Sequence, residues 1–370
     1  MVVVGMACRR GEPALRGSTA ASTSAITAGS SSPSPPQSPW WGKKLHVWTT
    51  ACTLGARDVG DLVGLVPRAP RVGIGVACTS VAADGRLLTL DEEPVGLGRA
   101  LVARRMRRLG LAPLLVVSNY GSSGFDGKTA LGVLEKKRGV LVDAIARAAE
   151  TEGFAGVELD LELLPTEAAA VYAALAREVR ARTTGELAID VHPKTQDDPG
   201  WLGPSGHDYA ALAGSGAVLR LMTYDLSIGP VPPGPSTKAS WIRAVVGYAR
   251  SKNIPAAQLE IGLPAYGYDF PPKGPAVPLR WEDVMALRSK AKAEVQRDAQ
   301  QTPHFTYEGE NGRHEVWFDD ATSLSRLLDD VADLAADVRG ISIWGMGRAD
   351  PDLGKRLAER GFAVAAAPVQ

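Results

Sequence analysis

The sequence is poor in the residues that most often announce a function. Its three cysteines, Cys8, Cys52 and Cys78, are too few for a disulfide scaffold, and no cysteine or histidine spacing resembles a zinc site. Cys52 and Cys78 fall near the ends of two neighbouring strands, so one disulfide is open to them, but two buried free thiols are the expected state. The five histidines are scattered without ligand spacing, and neither a metal nor a cofactor is expected. No run approaches the roughly 20 continuous apolar residues that span a bilayer. Net charge is missing too, since 41 basic residues balance 41 acidic ones. That balance removes the electrostatic case for nucleic acid or an anionic membrane as a partner. A neutral polymer such as a glycan fits at least as well.

What is present divides the chain. Residues 1–39 read as a leader and tether. MVVVGMAC is a short apolar run ending in a small residue and a cysteine, and the later tract STAASTSAITAGSSSPSPPQSP is rich in Ser, Thr, Ala and Pro with almost no charge. Such a tract cannot build a core. The layout predicts an exported protein of the cell envelope or exterior, with Cys8 as the residue that would carry a lipid anchor. The apolar run is short for a signal peptide, and no basic residue precedes it.

From Trp40 onward, short apolar segments alternate with helical stretches. LHVWTTAC, RVGIGVAC, APLLVVSNY, GFAGVELDLELL, LAIDVHP, VLRLMTYD, LEIGLPAYG and GISIWGMG read as strands. Between them lie stretches such as TEAAAVYAALAREVRART and SWIRAVVGYARSKN, with apolar residues at helical spacing. The basic run in GRALVARRMRRLG reads as a solvated helix face rather than a nucleic-acid site. Strands separated by helices indicate parallel βαβ units, and eight of them close a barrel. The expected fold is α/β, a (β/α)8 TIM barrel over residues 40–370 with a small α+β insertion between strands seven and eight. That insertion, residues 270–320, holds a helix, WEDVMALRSKAKAEVQRDAQ, and two strand-like pieces, PHFTYEG and HEVWFDD. Glu310-Asn311-Gly312 joins the two pieces, and Asn-Gly between apolar runs is a hairpin signal.

The most informative segment is Gly156-Val157-Glu158-Leu159-Asp160-Leu161-Glu162-Leu163. Side chains alternate along a strand, so the apolar residues point one way and Glu158, Asp160 and Glu162 the other. The leucines belong against the helices, which turns three carboxylates toward the barrel interior. Burying unpaired anions costs roughly several kcal/mol each. An edge strand with one solvated face would give the same alternation, but a closed parallel barrel has no such edge. Glu162 lies at the C-terminal end of the strand, the end where barrel enzymes keep their active sites. Asp160 one layer below disfavours its ionisation and keeps it protonated near neutral pH. A protonated glutamate at a cleft rim is what a glycosidic leaving oxygen requires.

The segment resembles the D-x-x-D-x-D-x-E signature of glycoside hydrolase family 18, the chitinase-like family. Ala155 stands at the first Asp, Glu158 at the second, Asp160 at the third and Glu162 at the Glu. Met222-Thr223-Tyr224-Asp225 is similar to the family's M-x-Y-D/E on strand six, and Gly262-Leu263-Pro264-Ala265-Tyr266-Gly267 to its G-x-P-x-Y-G on strand seven. Trp344 stands where the strand-eight tryptophan belongs. HEVWFDDATSL, with Ala-Asp-Gly-Arg-Leu after strand two, is most similar to the spore-germination and spore-cortex branch, whose members cleave peptidoglycan. The resemblance covers about residues 43–355.

It implies retaining, substrate-assisted hydrolysis of a β-linked glycan containing N-acetylglucosamine, without a protein nucleophile. Glu162 would protonate the leaving oxygen, Asp160 would accept the acetamido N–H, and Tyr224 would meet the acetamido oxygen. Trp344 and Tyr266 would present aromatic surface to the sugar. Asp225 would hold the sugar, and Met222 would either touch it or pack. Peptidoglycan is the expected substrate. The alternatives are a chitinase on chitin oligosaccharides and a catalytically silent, chitinase-like glycan-binding protein, although silent members lose the glutamate that this chain keeps.

Two departures carry expectations. Ala155 replaces a structural Asp of the family, and Glu158 stands deeper in the barrel where Asp or Asn is usual. Glu158 needs a partner, and Arg220 shares its inward parity on strand six, so a buried Glu158–Arg220 contact is expected. His192, at the mouth of strand five, could reach substrate but reads first as a satisfied structural residue. His46, His207, His304 and His314 suggest no site.

Overall fold

The computed structural model describes residues 38–49, 72–90, 98–108, 110–197 and 203–362. The leader and most of the tether, with Cys8, lie outside the described residues, and so does Cys52. All eight expected strands form: β1 (Lys44–Thr49), β2 (Val72–Val76), β3 (Ala112–Ser118), β4 (Gly156–Asp160), β5 (Glu186–Val191), β6 (Val218–Leu221), β7 (Leu259–Pro264) and β8 (Gly340–Trp344). Each is parallel to its neighbours. Pairing of Gly73 with Ala112 joins β2 to β3, and pairing of Lys44 with Gly340 brings β8 back to β1. The sheet is a closed ring, with helices between successive strands from β2 onward among the described residues, the (β/α)8 barrel expected from the sequence.

The outward face of each strand supplies the main core. Val157 and Leu159 of β4, Ile189 and Val191 of β5, and Ile341 and Ile343 of β8 join Ile145, Leu175, Val179 and Val246 from the helices in one cluster. Each fully buried side chain of this kind contributes roughly 1.5–3 kcal/mol.

The inward face is charged. The registers place Glu158 beside Val116 and Ala188, and Arg220 beside Asp190 and Glu260. Arg220 Nη1 lies 3.1 Å from Glu158 Oε1, the contact that strand parity predicts. The same guanidinium donates to Glu260 Oε2 and to Glu186 Oε1, each at 2.9 Å, and to His46 Nδ1 at 3.0 Å. Trp48 Nε1 donates to Glu158 Oε1 at 2.7 Å, and His46 Nε2 lies 3.1 Å from its other oxygen. Burial pushes the Glu158 carboxyl up, but Arg220 and His46, with hydrogen bonds from His46 and Asp190, outweigh it and hold it at about 2. A Cβ on Gly75 would stand 2.3 Å from Trp48 Cδ1 and 2.9 Å from Glu158 Oε2. The bare backbone of β2 is what lets Trp48 reach Glu158.

The connection after β7 folds as an antiparallel sheet of the strands Gly267–Phe270, Val277–Leu279, Gln296–Arg297, Pro303–Gly309 and Gly312–Phe318. Its helix is Trp281–Ala291, shorter than the sequence pattern suggested, and ends on Lys292 at φ 50°. Beyond it, Ala293 and Val295 turn inward against Val284, Phe305, Val316 and Phe318, the insertion's own core. Packing there overrides the helical propensity of the continuing sequence.

Cys78, just after β2, is disulfide-bonded, which corrects the free thiol expected there; its partner lies outside the described residues.

Replacing Arg220 with methionine leaves Glu158 and Glu260, 0% and 1% exposed, without their central cation. Loss of one partner from such a buried network costs about 3–5 kcal/mol. Urea unfolding of Arg220→Met is expected to show that loss, and an unchanged midpoint would remove the network from the account of the fold.

Candidate active site

The β3–β4 ladder ends with Ser118 opposite Asp160, so Glu162 stands just beyond the strand rather than within it. Asn119 replaces the missing ladder. Its Oδ1 accepts from Glu162 N at 2.8 Å and its Nδ2 donates to Glu162 O at 2.9 Å, clamping both sides of that residue's backbone. Leu163 follows at φ 53°, a conformation uncommon for a non-glycine residue. Sequence reasoning missed Asn119, whose signal was a polar residue at the mouth of an apolar strand next to the acidic one.

Exposure sorts the interior into layers. Glu158, Asp190 and Arg220 are buried, whereas Asp160, Glu162, Tyr224, Asp225, Tyr266, Tyr268 and Trp344 keep partial exposure at the C-terminal end of the barrel. Burial, then the charges of Asp160 and Asp225 and a hydrogen bond with Asp160, push the Glu162 carboxyl well above the usual carboxylate range. Burial and the Glu158 charge raise Asp160 to about 7, against hydrogen bonds from Ser118 and Glu162 that lower it. The shared bond lowers Asp160 and raises Glu162, so Glu162 holds the proton and donates it. The two titrate as one unit. A second such pair lies beneath: burial, the charges of Glu158 and Asp160, and a hydrogen bond to Glu158 raise Asp190 well above its ordinary value. Asp190 was also missed, although a carboxylate at inward parity in LAIDVHP is the same signal that marked β4.

Past β6, Thr223 Oγ1 donates to Gly262 O at 2.7 Å and Thr237 Oγ1 donates to Thr223 O at 2.6 Å, fixing the segment that carries Tyr224 and Asp225. A Cβ on Gly262 would meet Tyr224 Cε1 at 3.1 Å. Burial, followed by the charges of Asp190, Glu162, Asp225 and Asp160, raises the Tyr224 phenol well above its usual range, which puts this ring among the carboxyls. Asp225, at φ 61°, accepts at Oδ1 from Tyr266 Oη (2.6 Å), Tyr268 Oη (2.8 Å) and Ser236 Oγ (3.4 Å). Tyr268 was not singled out from the sequence. Tyr266 also sets its ring edge-on to Tyr224 at 6.3 Å. Trp344, paired with Pro264 at the end of β8, meets Trp48 edge-on at 5.7 Å. Met222, 7% exposed, is buried.

His192 Nε2 lies 3.2 Å from Glu162 Oε2, so its place is against the acidic pair. His46 belongs to the Glu158 network. His314 meets Asp269 at 2.9 Å and His304 stacks on Trp317 at 4.1 Å, both in the insertion. Among the described residues no group of three or more His, Cys, Asp or Glu could hold a metal ion.

The sequence profile of Glycosyl hydrolases family 18 matches residues 101–349. A putative sporulation-specific glycosylase, YdhD, of Bacillus subtilis is 29% identical over 63% of this chain and 57% of its own length. The cortical fragment-lytic enzyme of the same organism is 28% identical over 64% of this chain and 57% of its own. The chain thus spans little more than half the length of these two relatives. The crystal structure of a chitinase from Chromobacterium violaceum superposes with a TM-score of 0.74 at 22% identity, covering 86% of this chain and 98% of that one, and shares its fold.

The raised Asp160 pKa has a consequence for stability. Between the ordinary aspartate value of 3.8 and the folded value of about 7, the native state binds more protons than the unfolded chain, so stability falls as pH rises through that window. Asp160→Asn cannot ionise and escapes this loss. Urea midpoints of the variant, relative to wild type, are expected to climb from pH 4 to pH 7; parallel profiles would contradict the assignment.

Proposed function

This chain belongs to Glycosyl hydrolases family 18, and from that premise we propose that it hydrolyses β-linked glycans containing N-acetylglucosamine, with peptidoglycan as substrate. One observation carries the reading: Glu162 shares a hydrogen bond with Asp160 at the partly exposed end of the barrel beside Asp225, and its carboxyl is held well above the usual carboxylate range. In the first step Glu162 gives that proton to the leaving glycosidic oxygen while the substrate's own 2-acetamido oxygen attacks the anomeric carbon. The C–O bond to the leaving sugar breaks as the oxazolinium ring closes. Asp160, as the carboxylate of the pair, accepts the acetamido N–H and faces the developing positive charge. Tyr224 offers its hydroxyl to the acetamido oxygen, and Trp344 supplies an apolar floor on which a pyranose face can stack. Glu162 then takes a proton from water, which opens the ring with net retention.

The deeper groups serve this chemistry indirectly. Arg220 and His46 keep Glu158 ionised, and that fixed charge helps raise Asp160 to about 7. The two relatives named as a sporulation-specific glycosylase and a cortical fragment-lytic enzyme favour peptidoglycan over chitin. The disulfide at Cys78 supports export to an oxidising compartment, and a lipid anchor at Cys8 would be one way of holding the protein at the envelope.

General acid–base catalysis contributes about 10²- to 10⁴-fold. Glu162→Gln is therefore expected to lower the release of reducing ends from peptidoglycan by that factor while leaving the unfolding midpoint near that of wild type. Equal release by both proteins would end the proposal. Faster release from chitin oligosaccharides than from peptidoglycan would move the substrate to chitin.

A further inference from the structure

Glu162 has a neighbour that the mechanism above does not use. His192 Nε2 approaches Glu162 Oε2 at 3.2 Å, and the residue is held at its backbone and along one ring face. Its backbone N–H donates to His207 Nδ1 at 3.0 Å, and its carbonyl accepts from Tyr209 Oη at 2.6 Å. The two imidazoles stack at 5.3 Å with their planes 22° apart. Because His207 Nδ1 accepts from a backbone N–H, its proton is on Nε2, which donates to Leu161 O at 2.9 Å. Lys194 Nζ donates to His207 O at 2.7 Å. These bonds lock the mouth of β5 to the residues that carry Glu162, and at 8% exposure His192 is nearly closed to solvent.

Resting on the glycan-hydrolase reading, we propose that His192 is a positioning residue, whose Nε2–H donates to Glu162 Oε2 and orients the carboxyl in both halves of the reaction. A donor can serve both the protonated acid, through its carbonyl oxygen, and the carboxylate left after proton transfer. An imidazole presenting only a lone pair could serve the acid alone. Leu163 N–H is directed at the same nitrogen from 3.4 Å, longer than the roughly 2.7–3.2 Å usual for such a bond, and Nε2 serves the nearer Glu162 Oε2 instead. The side chain also has to be neutral, because an imidazolium would stabilise the carboxylate and strip Glu162 of its proton. Burial and the neighbouring His207 keep His192 uncharged by pushing its pKa well below the usual 6.5. Asn119 thus fixes the backbone of Glu162 and His192 fixes its carboxyl. Two independent restraints hold the acid within the narrow tolerance that catalysis needs.

The test uses the full chain with two aryl β-glycosides of N,N′-diacetylchitobiose, one with a phenol leaving group and one with 2,4-dinitrophenol. The second leaves without protonation and so reports the fold of the site without its acid. His192→Ala is expected to lower kcat on the phenyl glycoside by about 10- to 100-fold with KM held within about twofold, and on the dinitrophenyl glycoside by less than about threefold. His192→Gln, which keeps a donor, recovers most of the loss. Equal losses on both substrates, or none on the first, would overturn the proposal. If wild type cleaves neither glycoside and no peptidoglycan, the glycan-hydrolase reading fails instead. Nitrogen NMR of the ring decides the contact independently of turnover: a neutral His192 protonated at Nε2 is expected, and protonation at Nδ1 alone contradicts it.

Discussion

Carboxyl groups stacked along one strand inside a closed ring cannot all ionise, and the rest of the structure follows from how that conflict is resolved. Glu158 wins the charge because Arg220, His46 and Trp48 surround it. Its neighbours are pushed up in turn, Asp190 to the side, Asp160 above to about 7, and Glu162 above that, which keeps its proton against the usual preference of a glutamate. That rise in carboxyl pKa along the barrel axis is an electrostatic consequence of a guanidinium placed at one end. The chemistry at the open end depends on a cation that no substrate reaches.

The ring itself was legible from the sequence because each of its strands is an apolar segment bounded by turn or cap residues, and because the helices between them keep their own period. Glu158, Asp160 and Glu162 were legible for a simpler reason: charge at every second position of an apolar strand has few places to go. Arg220 could be matched to Glu158 by parity alone. Asn119 and Tyr268 were not found, since each acts through contacts with a segment distant in the chain, and the one polar residue at a strand mouth was the only mark Asn119 left. Asp190 breaks the apolar pattern of its strand and could have been found by the test that singled out β4. The disulfide at Cys78 and the early end of the helix Trp281–Ala291 belong to the same class of miss, in which tertiary proximity decides and local sequence is silent.

The insertion is tied into the site by two residues. Tyr266 precedes its first strand and Tyr268 lies within it, and both hydroxyls reach the one oxygen of Asp225. Those bonds lower the Asp225 pKa, whereas burial raises it, and burial prevails. The charge of Asp225 in turn helps raise Glu162. A shift of the first insertion strand would therefore be felt at the acid through hydrogen bonds rather than by direct contact.

The most direct test of this account is the ionisation of Glu162 itself, followed by carbon NMR of the side-chain carboxyl as pH is raised in the full chain. The account predicts a midpoint well above the ordinary 4.5 for a glutamate, coupled to a second step assigned to Asp160. A simple titration of Glu162 near 4.5, indifferent to Asp160→Asn, would contradict it.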